Sequence, residues 1–329
     1  MAGIAALSTY FPSEYQTSRE IAEATGIPVE VIEQKFGLRG KHRAASDEHV
    51  SAMGTQAARP LLESVRPDEI GALIYFGSAH KDYYLWSVAP KIAHALGLDN
   101  AFSFELMNTS ACGPIALKVA RDMLTADPGL KSIVLVGASR ESRVINYRNH
   151  RARFAFNFAD GAAAVLVRAS GGHQILATAA VTDGSFADDV MIPAGGSVHP
   201  PSPETLERDM HRVDVPDVDR MRARLDPVSL QRFVTVTRKA VQDSGSSVDD
   251  IDFLAMLHTK RSLHEELLRT LGLEPHQSLY LEEFGHMSSI DPFVVLSEAE
   301  RRGLLNRGDL VVALSAGTGY TWAATAIRW

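Results

Sequence analysis

Cys112 is the only cysteine in the sequence, and its setting suits a nucleophile. It follows Glu105-Leu-Met-Asn-Thr-Ser-Ala111 and precedes Gly113-Pro114, so an extended segment turns sharply into a helix there. Proline is favoured in the first helical turn because its missing N–H has no partner to lose. A sulfur at that helix start feels the positive end of the peptide dipoles, so a lowered thiol pKa is expected. The geometry is that of the hydrolase nucleophile elbow without its Gly-x-Ser-x-Gly sequence; a small buried hydrophobe is the plainer reading of a lone cysteine.

A cysteine nucleophile needs a proton acceptor and donors for the oxyanion it creates. His258 closes Phe253-Leu-Ala-Met-Leu257, and His286 follows Leu281-Glu-Glu-Phe-Gly285, both read as strand ends. The turn Ser315-Ala-Gly-Thr-Gly-Tyr-Thr-Trp322 can aim a backbone N–H at an oxyanion, but no Gly-Lys-Ser/Thr follows as in a phosphate loop. His264-Glu-Glu-Leu-Leu268 lacks a second zinc-binding histidine, and one cysteine rules out multi-cysteine zinc sites and intrachain disulfides, so no metal is expected.

The elements that must hold these residues are those of an α/β chain. Ala72–Phe76, Ser132–Val136 and Leu310–Leu314 are continuous apolar runs, which suit strands covered on both faces. Pro114–Thr125 and Pro292–Arg302 read as helices, stopped by Asp127-Pro128-Gly129 and by Gly303. The chain also repeats. Ser110–Pro114 resembles Ser288–Pro292 at an offset of 178 residues, Ile133–Val136 meets Val311–Leu314 at the same offset, and Asp68–Ile70 meets Asp249–Ile251 at 181. Two similar halves are expected, residues 1–170 with the cysteine and 171–329 with both histidines and the glycine loop, and a site at their junction. Gly184–Pro203, rich in proline and glycine, reads as a long surface loop. Arg220, Arg222, Arg224, Arg232, Arg238 and Lys239 form a basic stretch, for which a solvated helix face is the simplest account.

Composition sets the outer bounds. The chain has 329 residues with 33 basic and 40 acidic side chains, a net charge of −7, which argues against a sequence-independent grip on nucleic acid. No apolar run reaches the ~18 residues of a membrane span, and Met1-Ala2-Gly3-Ile4 lacks the basic start of a signal peptide. A cytoplasmic protein is expected.

Taken together, these residues resemble the thiolase-like condensing enzymes, and among them the β-ketoacyl-acyl-carrier-protein synthase III group. The likeness runs through Ser18–Ala22, Val31–Leu38, Ala111-Cys112-Gly113, Phe158–Val165, Leu257-His258, Phe284–Ser289 and Gly317–Trp322. It implies a five-layer αβαβα fold, a homodimer, and acyl transfer from coenzyme A to the cysteine followed by attack of a malonyl-carrier protein, with no resident cofactor. Carried onto this chain, Cys112 is the acylated nucleophile, His258 a donor to the incoming thioester carbonyl, and the N–H groups of Cys112 and Thr318 the oxyanion hole. Tyr83-Tyr-Leu-Trp86 lies where the family places a side chain that reaches across the dimer, so Trp86 is a candidate wall of the acyl pocket. Arg39, Lys260 and Arg261 are candidates for binding the substrate or its acidic carrier, although Lys41-His42 stands where the family usually has an arginine pair. The chief departure is His286 in place of the family's asparagine. An imidazole can donate one N–H as an amide can, but it can also act as a base, which opens transfer of the acyl group to a hydroxyl or amine. A noncatalytic partner subunit is the third reading.

Overall fold

The computed structural model describes all 329 residues. The first half runs β1 (Gly3–Tyr10), β2 (Glu14–Thr17), α1 (Ser18–Thr25), α2 (Val29–Val31), β3 (Gly40–Arg43), α3 (Val50–Ala58), β4 (Ile70–Tyr75), α4 (Val88–Ala95), β5 (Phe102–Glu105), α5 (Cys112–Ala126), β6 (Ser132–Arg140) and β7 (Asp160–Arg168). The second runs β8 (His173–Thr182), α6 (Pro203–Glu207), α7 (Val218–Asp243), β9 (Phe253–Met256), α8 (Arg261–Leu271), α9 (Asp291–Arg301), β10 (Leu310–Gly317) and β11 (Thr321–Arg328).

The strand order β5-β4-β6-β7-β1-β8-β11-β10-β9 contains the repeat. In the first five strands β5, β4 and β6 are parallel, and β7 and β1 are antiparallel to their neighbours. In the second set β9 and β10 are parallel, and β11 and β8 are antiparallel to theirs. A single parallel bridge between Leu254 and Ser278 stands where a counterpart of β5 would lie. The two sets meet only where Gly3 and Ile4 pair with Gln174 and His173.

Three apolar interfaces give five layers. Between the sheets, Ala116, Leu117, Ala120 and Leu124 of α5 and Phe293–Leu296 of α9 pack against inward residues of both. Outside the first sheet lie α3 and α4, and outside the second α7 and α8. β6 and β7 are buried along nearly their whole length, as their apolar runs require. β2 and β3 form a small separate ribbon that, with α1 and α2, carries Gly37–Arg43 to the mouth of the central layer.

Several expectations shift. The central helix begins at Cys112 itself, two residues before Pro114, and α9 begins at Asp291. Pro203 opens α6, capped by Ser202, instead of ending the loop. Residues 281–285 are a turn and not a strand: Phe284 and Gly285 both donate to the Leu281 carbonyl, and Gly285 takes φ +71°. His286 then makes a lone parallel bridge with Phe158.

Candidate active site

Before α5 the chain makes a tight turn, Thr109–Ala111, with Thr109 at φ +43°. A β-branched residue there is strained and needs support. That support comes from the glycine loop. The Thr109 hydroxyl donates to the Thr318 carbonyl at 3.2 Å, and Ser315 Oγ donates to the Ser110 carbonyl at 2.5 Å. Gly317 sits so close that a Cβ would fall 2.1 Å from Thr109 Oγ1 and 2.7 Å from the Ala111 nitrogen. The Thr318 N–H meets no protein acceptor, so it is free for a ligand oxygen. The Cys112 N–H, its expected companion in an oxyanion hole, donates to the Thr109 carbonyl.

Cys112 is buried, and burial pushes its thiol up to about 12, with a backbone contact to Asn108 opposing. The expected low-pKa thiolate is therefore corrected: desolvation outweighs the pull of the helix start, and the resting group is a neutral thiol.

The second half repeats the turn. Ser288–Ile290 mirrors Thr109–Ala111, Ser288 takes φ +59°, and the helix that follows starts at Asp291. The structural register is thus one residue longer than the sequence offset, and a carboxylate occupies the counterpart of the thiol position. Asp291 organises both histidines. Its Oδ2 accepts the His258 backbone N–H at 2.8 Å and faces His286 Nδ1 at 2.6 Å, while Oδ1 accepts the Met287 N–H at 2.7 Å.

The two imidazoles have opposite environments. His258 has Nε2 at 3.2 Å from the Gly37 carbonyl and Nδ1 at 2.8 Å from the Asn157 amide nitrogen. A carbonyl can only accept, so Nε2 carries the proton and the ring is neutral. Burial accordingly lowers its pKa to about 4. Burial also pulls His286 down, but the charge and hydrogen bond of Asp291, with Glu141 beyond, more than offset it, and the net shift is upward. His286 Nε2 lies 2.8 Å from Ser110 Oγ. Neither ring is hydrogen-bonded to the thiol; His286 reaches the Cys112 turn through Ser110, and His258 joins it through Asp291.

Four contributors were missed from sequence: Ser110, Asp291, Asn157 and Lys41. The first two lie inside the repeated Ser110–Pro114 and Ser288–Pro292 segments, where their spacing was read only as helix starts. Lys41 is fully buried, and its Nζ donates to the carbonyls of Phe156 and Phe158 at 2.6 Å each, clamping the segment that presents Asn157 to His258. Burial brings its pKa down to about 7, with Asp160 opposing. It is therefore no surface cation for a nucleotide, and His42 is engaged with the Pro12 carbonyl and the Phe11 ring.

The outer candidates divide. Arg39 and Arg261 converge on Glu282, at 3.5 and 2.7 Å, beside the His258 loop, and exposed Lys260 caps α8 there. Trp86 is half-buried, edge-on to Tyr83 at 5.6 Å. A hollow of about 470 Å³ opens between Asn146–Arg151 and Pro193–Asp214, lined by Arg148, Arg151, Arg208 and Arg212. In the basic stretch Arg224 stacks on Phe186 and bonds Ser185, and Lys239 pairs with Asp243. No helix is long and apolar enough to cross a membrane.

Residues 104–184 match the family model described as 3-oxoacyl-[acyl-carrier-protein] synthase III, and residues 241–329 match the model of that enzyme's C-terminal part. A β-ketoacyl-[acyl-carrier-protein] synthase III of Symbiobacterium thermophilum is 30% identical over 99% of this chain and 98% of its own length. The chain belongs to the β-ketoacyl-[acyl-carrier-protein] synthase III family. A namesake from Desulfitobacterium hafniense is 27% identical over 99% of this chain and 97% of its own. The crystal structure of 3-oxoacyl-[acyl-carrier-protein] synthase III from Aquifex aeolicus superposes with a TM-score of 0.86 at 20% identity, covering all of both chains. Within the synthase III family, the five-layer fold of two similar halves is thus shared.

Proposed function

We propose that the protein takes an acyl group onto Cys112 and condenses it, with loss of carbon dioxide, with a malonyl-type extender on an acyl carrier protein. The observation that carries this reading is a buried thiol at a helix start with an unpartnered Thr318 N–H in the loop packed against it, linked through the matching helix start at Asp291 to a neutral His258 whose Nε2–H is given to the Gly37 carbonyl. Decarboxylation leaves an enolate, and each fixed donor at its oxygen lowers the barrier by about 3–4 kcal/mol. The neutral thiol must lose its proton as the thioester forms, and His286, backed by Asp291, is the base tied to that turn. The relatives bearing the synthase III name support this reaction class.

A second reading has an observation of its own. His286 is paired with a buried carboxylate and already holds a hydroxyl, that of Ser110, on its outer nitrogen. An acceptor alcohol or amine bound there would be deprotonated by the same ring, giving an ester or amide.

The donor's anionic end, whether coenzyme A or carrier protein, is drawn to the arginine-lined hollow and to Arg39, Lys260 and Arg261. A homodimer is supported by β5, an unpaired edge strand, and by the apolar cluster around it: Tyr83, Tyr84, Leu85 and Phe102 are 69, 77, 108 and 55% exposed.

Carbon dioxide release from malonyl-carrier protein in the presence of an acyl donor tests the lead reading. Acylation without decarboxylation across short and medium acyl donors would transfer the conclusion to the second. Intact-mass measurement before and after neutral hydroxylamine tests the shared first step: a hydroxylamine-labile thioester adduct is expected on the wild type and absent from Cys112→Ala.

A further inference from the structure

Ser110 is two residues from the thiol, yet it differs from it in every respect that matters for reactivity. Cys112 is buried, whereas Ser110 is partly open to solvent. Neither imidazole is bonded to the cysteine, whereas Ser110 Oγ lies 2.8 Å from His286 Nε2. On the other side of that ring, Nδ1 is 2.6 Å from Asp291 Oδ2, and Asp291 is itself fixed by two backbone N–H groups. A hydroxyl, an imidazole and a buried carboxylate in this order form the relay that activates serine in hydrolases, which is recognised by geometry and roles and not by sequence position. Ser110 is held from behind through its own carbonyl, which accepts from Ser315 Oγ at 2.5 Å. The unpartnered Thr318 N–H lies beside the same turn, because Gly317 packs directly against Thr109 and Ala111.

We propose that Ser110 is a second nucleophile, giving the protein a Cys112-independent hydrolase activity on acyl esters and thioesters. Ser110 Oγ bonds to the acyl carbonyl carbon and its proton passes to His286 Nε2. The bond to the thiol or alcohol leaving group then breaks, and that group departs with the proton. Water, deprotonated by His286, attacks the Ser110 ester, releasing the carboxylic acid and restoring the hydroxyl. The proposal shares with the function above the reading that this pocket admits acyl groups, but it does not depend on the thiol.

Two measurements test it. With p-nitrophenyl acetate, Cys112→Ala should retain hydrolysis, and adding Ser110→Ala or His286→Asn should lower it by about 10²- to 10⁴-fold. A fluorophosphonate probe on the wild-type protein should leave an adduct that peptide mapping assigns to Ser110, so the outcome does not rest on the cysteine variant folding. Equal hydrolysis by Cys112→Ala and the Cys112→Ala/Ser110→Ala double variant, or a probe adduct absent from the Ser110 peptide, overturns the proposal. Loss of condensation with Ser110-dependent hydrolysis intact would remove only the synthase reading, and acylation of Cys112 with a silent Ser110 would remove only this one.

Discussion

Asp291 and Cys112 begin equivalent helices, and the buried carboxylate sets what the neighbouring imidazole can do. Its charge offsets the desolvation of His286 and turns the net shift upward. Asp291→Asn keeps the shape and removes the charge, so His286 should titrate at lower pH than in the wild type, and acyl transfer should fall by about 10²- to 10⁴-fold. NMR titration of the His286 ring together with the pH dependence of kcat separates this from unfolding: an unfolded ring returns to about 6.5, whereas a folded ring still buried but without the Asp291 charge should titrate below that. At this scale the sequence singled out Cys112, His258 and His286, because cysteine and histidine announce themselves by type. It was read poorly for Ser110, Asp291, Asn157 and Lys41. Serine, aspartate and asparagine are common at helix starts and turns for backbone reasons alone, so their type carries little information until partners are placed.

Two turns of similar build, each with a strained positive-φ residue, hold the site, and each is braced by close backbone packing. A Cβ on Gly113 would lie 2.4 Å from the Ser289 carbonyl, so the Cys112 turn and its counterpart touch backbone to backbone. Gly317→Ala would drive a methyl into Thr109 and the Ala111 nitrogen. We expect it to displace the Cys112 turn and to cost about 1–3 kcal/mol, seen as a lower midpoint in chemical denaturation, with acylation of Cys112 lost. A fully active Gly317→Ala protein would show that the loop does not brace the turn. The strands and helices around these turns were legible from continuous apolar runs and from proline and glycine punctuation. The turn at Leu281–Gly285 was not, because five residues with apolar ends look like a short strand until a glycine with positive φ closes them.

At the scale of the whole molecule, burying neutral histidines has a consequence for acid stability. His258 and His264 are both held near 4 by burial, against about 6.5 in an unfolded chain. Between those values the unfolded chain binds the protons and the folded one does not, so stability falls as pH drops from about 6.5 toward 4. His286 works in the opposite sense. The denaturation midpoint should be lower at pH 5 than at pH 7.5, and the drop should shrink in His264→Gln; an unchanged drop would remove His264 from this account. At the open edge of the first sheet, Phe102→Asp is expected to convert the proposed dimer into monomers in sedimentation, and a sedimentation coefficient equal to that of a dimeric wild type would place the contact elsewhere. The duplicated plan itself was legible in the sequence repeats, since two copies of one layered unit must solve the same packing problem with similar residues. The seam between the copies is narrow in one respect: the sheets share only the pairing of Gly3 and Ile4 with Gln174 and His173, while the central helices cross it, α5 packing on β8, β10 and β11 of the second set and α9 on β1 of the first. A polypeptide severed in the Ala169–Gly172 connection should therefore reassemble from two separately expressed pieces, each inert by itself, with turnover returning only when both are mixed.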